Sequence, residues 1–376
     1  MTIAEPSFTF GIEEEYHLVD AETCALVPAP RELMAALEGA LGEQVSPEFL
    51  RSQIEVSTRP CRHISEARSE LRHLRATVAD LARGYGFAPV AAGTHPLAHP
   101  GDVETTDKER YRAIAHDFQL VARRLVTCGM HVHVGIEDKE LRIDLMNQAR
   151  YFLPHLLALS TSSPFWEGSE TGLKCYRLAV YNELPRTGLP GRFSGWREYE
   201  QTVDVLVRSG VIEDASKIWW DLRPSARFPT IEMRLTDVCT HLEDGLAIAA
   251  LFVSLCRMLY RLRRSNQSWR PYPLFLLEEN RWRAQRYGVR GTLFDFGKGE
   301  LVPFDSLVEE LLAITAEDAA ALGCEQEVAR VRRIVAEGTS ADRQLALFKD
   351  LVDAGRTPDG ALKGVVSWLA GETTAK

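Results

Sequence analysis

The sequence predicts an α+β protein: one mainly antiparallel sheet with helices packed around it. Three observations carry this expectation. Several short segments alternate apolar and polar residues with period two, as half-buried strands do. Longer segments between and after them repeat apolar residues every three or four positions, as amphipathic helices do. No internal repeat, low-complexity segment or composition break divides the 376 residues, so a single domain, 1–376, is the simplest organisation.

Hydrophobic residues make up 45% and charged residues 26%, an ordinary soluble balance, and a chain this long can bury a core without disulfide staples. The net charge of −9 argues against a general nucleic-acid or membrane-surface binder. The seven cysteines are scattered and contain no CxxC pair, which reads as reduced thiols. The first ten residues lack the basic start and apolar stretch of a signal peptide. The uncharged apolar run Gly245–Cys256 falls short of the ~20 residues of a membrane span and reads as a buried helix. Together these features place the protein in the cytoplasm.

The first strand is expected at Phe8–Asp20, FTFGIEEEYHLVD. Alternation puts Phe8, Phe10, Ile12, Glu14, Tyr16 and Leu18 on one face and Glu13, Glu15 and His17 on the other. Carboxylates two residues apart on a strand sit about 7 Å apart and repel unless something compensates them. A charged hairpin face exposed to water is the simple alternative. A hairpin return follows at Ala21–Ala29, then a helix at Arg31–Leu41. Glu48–Thr58 alternates again and carries Glu55 on its polar side. A helix is expected over Ser65–Tyr85, capped by Ser65 and ended by Gly84, then a strand at Phe87–Gly93 and a charged helix at Thr106–Arg124.

Thr127–Ile136, TCGMHVHVGI, is the next informative strand. His131 and His133 share one face, a ligand geometry or a structural pair. The flanking Gly129 and Gly135 would let a bulky ligand approach the backbone. Leu141–Thr161 is an apolar helix that Pro154 should kink or divide. Ser162–Arg197 is rich in Gly, Pro and Arg, either a functional loop or a surface excursion. Its arginines Arg177, Arg186 and Arg192 are candidates for binding anions. A helix at Trp196–Ser209 follows. Ile218–Ser225 and Thr230–Val238 read as a strand pair, with Glu232 and Arg234 on the polar face, either paired across a solvated surface or holding a metal and a phosphate. Ala247–Arg264, Leu276–Tyr287, 305–337 and 341–353 read as helices, and Gly371–Lys376 as a disordered tail.

The polar faces of these strands can converge on one surface of one sheet. Carboxylates with one or two imidazoles suit hard divalent ions such as Mg²⁺ or Mn²⁺. In order along the chain, GIEEEYHLVD, SQIEVST, GMHVHVG, NELPRTGLP, WWDLRPS, TIEMRLTD and ENRWRAQRYG resemble the bacterial carboxylate–amine ligases of the glutamate–cysteine ligase type 2 group. The resemblance runs from about residue 8 to about residue 295, with a helical C-terminal extension over about 300–370. It implies the glutamine synthetase/guanido kinase-like fold, whose curved sheet holds ATP, metal and substrate. It also implies an ATP-dependent ligase that forms an amide through an acyl phosphate, from the glutamate γ-carboxylate and cysteine or another amine. Carried over, the metal ligands are Glu13, Glu15, Glu55, His131 and Glu232. Arg234 and Glu55 are catalytic, and His133 and Arg234 contact ATP. Arg186, Arg223 and Arg281 are substrate candidates, with Asn280 and Arg286 behind them, and Glu14 stands outside the metal shell. Small-molecule carboxylate and amine substrates and a homodimer follow from the same resemblance. A metal-dependent hydrolase using His131 and His133, or a non-catalytic scaffold on the same fold, are the alternatives.

Overall fold

The computed structural model describes residues 4–375. Its organising element is β1 (Phe10–Asp20), a strand of 11 residues. On one edge it pairs with β3 (Gln53–Ser57), which β2 (Val45–Pro47) extends. Its other edge is shared: β5 (Met130–Gly135) pairs with Phe10–Glu14, and β4 (Phe87–Val90) with His17–Asp20. A hairpin of Leu222–Pro224 and Thr230–Met233 continues the sheet beyond β5. All seven strands are antiparallel to their neighbours.

One face of this sheet is apolar. Ile12, Tyr16, Ile54, Val56, Val132, Val134, Ile231 and Met233 are buried there. Among the helices that bury this face are α1 (Arg31–Leu41), α2 (Ile64–Arg83) and, later in the chain, α8 (Leu242–Arg264). By length and composition α8 alone among the described residues would cross a membrane, but 83% of its apolar window is buried inside the protein. Helix α3 (Glu109–Arg123) carries a break at Gln119, whose φ is 48°. Pro154 sits in the first turn of α5 (Leu153–Ser160) and separates it from α4 (Lys139–Ala149). The Gly- and Arg-rich stretch contains only α6 (Arg177–Tyr181) and short strand pairs before α7 (Trp196–Arg208). After α9 (Leu274–Tyr287), a small hairpin leads into α10 (Phe304–Leu322), α11 (Glu325–Ala329), α12 (Val331–Glu337), α13 (Ser340–Asp353) and α14 (Pro358–Thr373).

Several expectations change. The return strand over Ala21–Ala29 reduces to a bridge between Val19 and Leu26, because the Asp20 carboxylate accepts from the Glu22 and Thr23 N–H groups and tightens the turn. The cap of α2 is His63 rather than Ser65. Glu66 reaches back to the Arg62 and His63 N–H groups in a capping box. Part of the expected tail is ordered: Gly371–Thr373 form the last turn of α14, and Thr373 is buried and accepts from the Ala91 N–H through Oγ1. Lys376 lies outside the described residues.

Glu14 is the polar exception on the apolar face. It is fully buried, and Arg75 of α2 grips both its oxygens, Nη2 to Oε1 at 2.7 Å and Nε to Oε2 at 2.9 Å. The Tyr16 hydroxyl donates to the same carboxylate. Arg75 also donates to the carbonyls of Cys239, Thr240 and Thr373, so one guanidinium ties β1 to the start of α8 and the end of α14. Arg75→Leu should leave Glu14 buried and unpaired, at a cost on the order of 3–5 kcal/mol in urea unfolding. Pairing that change with Glu14→Gln should recover part of the loss. Wild-type stability in Arg75→Leu would show that the ion pair does not hold these elements.

Candidate active site

The opposite face of the sheet floors a cavity of about 530 Å³. Strand register builds its floor in rows. Glu15 lies opposite Glu55, which lies opposite Ser46. Glu13 lies between Ser57 and His131. Arg223 lies opposite Glu232, which lies opposite His133. Because successive side chains on a strand alternate faces, the parity that buries Ile12 and Glu14 turns Glu13 and Glu15 into the cavity.

One end of the cavity is acidic. Glu15, Glu48 and Glu55 each present a carboxylate oxygen within 4.8 Å of the others. Burial, and then the Glu48 charge, push Glu15 up to about 7, against the opposing Arg177 charge and the Gly129 N–H. Burial and the neighbouring carboxylates Glu48, Glu13 and Glu15 push Glu55 well above the usual range. Burial also opposes ionisation of Glu13, but the imidazoles of His131 and His133 hold its carboxyl well below that range. Burial and the Arg234 charge drop His131 to about 4, so its imidazole is neutral. Its Nδ1 faces Glu13 Oε2 at 3.0 Å, a carboxylate that fixes the proton there. That leaves the Nε2 lone pair buried without a hydrogen-bond partner, 3.8 Å from Glu15 Oε1. An orphaned imidazole nitrogen, oriented by one carboxylate and beside a second, Glu15, fits a hard divalent cation.

The other end is basic. Glu232 is buried and occupied by arginines: Arg223 Nε meets Oε2 at 2.9 Å, Arg223 Nη2 meets Oε1 at 3.1 Å, and Arg234 Nη1 also reaches Oε1. Burial raises the Glu232 carboxyl, and the Arg234 and Arg223 charges more than reverse this, holding it below the usual range. Glu232, expected as a metal ligand, therefore first serves to orient two guanidinium groups. His133 lies between the ends, with Nδ1 3.0 Å from Thr230 Oγ1 and Nε2 3.3 Å from Glu13 Oε1. Burial disfavours its charge, but Glu13 and Glu232 outweigh that and raise it.

Of the sequence candidates, Glu13, Glu15, Glu55, His131, His133, Arg177, Arg223, Glu232 and Arg234 line this cavity. Arg186 and Arg281 do not. Arg186 adopts a left-handed φ of 62°, donates to the Lys217 carbonyl and stacks on Trp219, so it braces the wall from behind. Arg281 is buried and spent on Asp221, with Nε 2.6 Å from Oδ2. Asn280 caps the Phe294 backbone, and Arg286 stacks on Tyr287. Arg192 is exposed outside the lining. Glu48 was missed, with Lys108, Tyr111, Tyr181 and Trp219. The alternation in Val45–Glu48 offered a signal: Ser46 and Glu48 share the parity that faces Glu55.

The acidic cluster makes a test. In the unfolded chain Glu15 and Glu55 titrate near 4.5, and in the fold both are raised. The fold therefore binds protons more tightly, and this contribution is complete below the unfolded value and lost as pH rises through the folded one. In metal-free protein, the melting advantage of Glu55→Gln over wild type should grow from about pH 5 to about pH 8, and saturating Mg²⁺ should shrink it. An advantage that is flat with pH would refute the repulsion.

The family model for glutamate–cysteine ligase family 2 matches residues 9–366. A Rhodospirillum rubrum protein named "Putative glutamate--cysteine ligase 2" is 57% identical over 376 residues, 99% of this chain and 97% of its own length. A Jannaschia protein of the same name is 54% identical over 368 residues, 98% of this chain and 97% of its own. Among solved structures, the glutamate–cysteine ligase of Francisella tularensis in complex with AMP aligns with a TM-score of 0.66 at 13% identity, over 97% of this chain and 92% of that one. A bifunctional glutathione synthetase from Pasteurella multocida aligns at 0.68 and 16% identity, over 96% of this chain and 52% of that one. These two likenesses concern the fold.

Proposed function

The chain belongs to glutamate–cysteine ligase family 2 and is a ligase, and from that premise we propose that it uses ATP to join a carboxylate, the γ-carboxylate of glutamate, to cysteine or another amine through an acyl phosphate. The observation that carries this reading is the division of one cavity into a carboxylate end with a free imidazole lone pair and an arginine end. Phosphoryl transfer between anions needs both: cations to neutralise phosphate and fixed donors for the charge that develops.

In the first step a substrate carboxylate oxygen attacks the γ-phosphorus of ATP. The bond to the β-phosphate oxygen breaks, giving an acyl phosphate and ADP. The amine then attacks the acyl carbon, the carbon–oxygen bond to phosphate breaks, and the amine proton is lost as the amide forms. Mg²⁺ or Mn²⁺, held by Glu13, Glu15, Glu55 and His131 with Glu48 beside them, would neutralise the polyphosphate when bound. Arg234 and Arg223, aimed by Glu232, stabilise charge on the transferred group, while His133, whose proton affinity Glu13 and Glu232 raise, lies between the two ends. The AMP held by the Francisella tularensis ligase supports nucleotide use in this fold. A hydrolase at His131 and His133 is not favoured, because both imidazoles lean on Glu13. The seven buried free cysteines fit a reducing cytoplasm, and a homodimer is the proposed assembly.

Incubating the protein with ATP, Mg²⁺, glutamate and a panel of amines including cysteine should release ADP and yield an amide identifiable by mass. Arg234→Gln should lower kcat by roughly 10²–10³-fold while melting as a folded protein. ATP consumption without an amide, or full turnover in Arg234→Gln, overturns the reading.

A further inference from the structure

The glycines of β5 and its approach were expected to admit a ligand to the backbone. The space beside both is instead taken by the chain itself. A Cβ on Gly135 would lie 2.7 Å from Ser7 Oγ and 2.9 Å from Thr9 Oγ1. A Cβ on Gly129 would lie 2.2 Å from Arg177 Nη2 and 2.7 Å from its Cζ, far inside any contact distance. The Arg177 guanidinium therefore rests directly on the Gly129 backbone, beside the acidic cluster.

Arg177 is 2% exposed yet lines the cavity. It makes no salt bridge among the described residues, although its charge acts on Glu15 and Asp237. Nη1 and Nη2 make long hydrogen bonds, 3.3 Å each, to the carbonyls of Leu235 and Arg234. Nε has no hydrogen-bond partner among the described residues. The rest of the residue is firmly seated: its N–H donates to Ser163 Oγ at 3.1 Å, Ser163 donates to Asp237 at 2.7 Å, and the guanidinium stacks over Tyr181. A buried cation that is rigidly placed but underused is costly unless an anion completes it. Gly129 has a second contact: its N–H donates to Glu15 Oε2 at 2.6 Å, so the same bare residue positions a carboxylate of the acidic cluster.

We propose that Arg177 receives an anionic oxygen of the bound substrate, a phosphoryl or carboxylate oxygen, and that Gly129 is a positioning residue whose missing side chain lets Arg177 and Glu15 meet across it. The proposal rests on the ligase reading of this cavity and adds a residue pair to it. Any side chain at position 129 must expel the guanidinium. The two residues then act as one device, and their substitutions cannot be independent.

The test is a cycle of Gly129→Ala, Arg177→Gln and the double variant. Turnover is followed with varied ATP and varied glutamate, and binding is followed by calorimetric titration of ADP with Mg²⁺ and, separately, of glutamate. Each single variant should lose roughly 10–100-fold in kcat/KM, and the double variant should be no worse than Arg177→Gln. A matching loss of ADP affinity assigns the anion as phosphoryl, and a loss confined to glutamate assigns it as carboxylate. Arg177→Lys should restore part of the affinity where Gly129 is kept and none when combined with Gly129→Ala. Unchanged affinity for both probes in Arg177→Gln, or losses that multiply in the double variant, overturn the proposal. The binding arms stand even where no amide is formed, so a failed ligase reading and a failed Arg177 assignment give different results.

Discussion

Glu15, Glu48 and Glu55 are held within 4.8 Å of one another on a floor where little water screens them. Two like charges at about 4 Å repel by roughly 4 kcal/mol at an effective dielectric constant of 20. Nothing local relieves that strain fully. Ser46 Oγ donates to Glu55 and the Gly129 N–H to Glu15, but each is a single bond to a neutral donor. The arrangement persists because strand register fixes the Cα positions and the register is enforced from behind, where the apolar face is packed against helices. A one-residue slip of β1 would bury Glu13 and Glu15 and expose Ile12 and Tyr16. The core therefore sets the geometry of the site, and the site's repulsion is a load on the core.

The same strand carries a buried charge on its other face, and there the solution is opposite. Glu14 receives a dedicated guanidinium from α2 and a tyrosine hydroxyl, which satisfies its lone pairs within the protein. The three consecutive glutamates thus divide by parity into one that is compensated by the fold and two that are left for compensation at the cavity. Arg75 does more than neutralise Glu14. By reaching carbonyls at Cys239, Thr240 and Thr373, it links the first strand to the last helix, so the C-terminal extension is part of the support of the site.

Much of this was legible in the sequence, because alternation with period two is a local signal. Phe8–Asp20, Glu48–Thr58, Thr127–Ile136 and Thr230–Val238 all yield strands of the main sheet, and parity alone places Glu14 apart from Glu13 and Glu15. What parity could not supply is the partner of a long side chain. Arg281 and Arg186 lie in stretches that look substrate-binding, yet Asp221 and the Lys217 carbonyl claim them through tertiary contacts. Glu48 was overlooked because β2 spans three residues and ends in Pro47, which leaves its alternation a weak signal. The tail looked disordered because its small residues carry little apolar signal, and the buried hydrogen bonds of Thr373 lie in contacts distant in sequence.

His131 and His133 show how two residues that are equivalent in a pattern separate in a structure. Both sit on the same face of β5, two residues apart, and both touch Glu13. Position across the sheet distinguishes them. His131 is pressed between the Arg234 charge and deep burial, which drop it to about 4 and keep it neutral. His133 lies within reach of two carboxylates, Glu13 and Glu232, and is raised instead. The Nε2 atoms of both rings lack a hydrogen-bond partner among the described residues, so it is the charge around each ring that sets them apart. The two rings of the pair therefore differ in their electrostatic setting. The pair marks the boundary of the cavity's two ends, with Glu13 shared between them. A shift of two residues along one strand reverses the direction in which the surroundings move an imidazole's proton affinity.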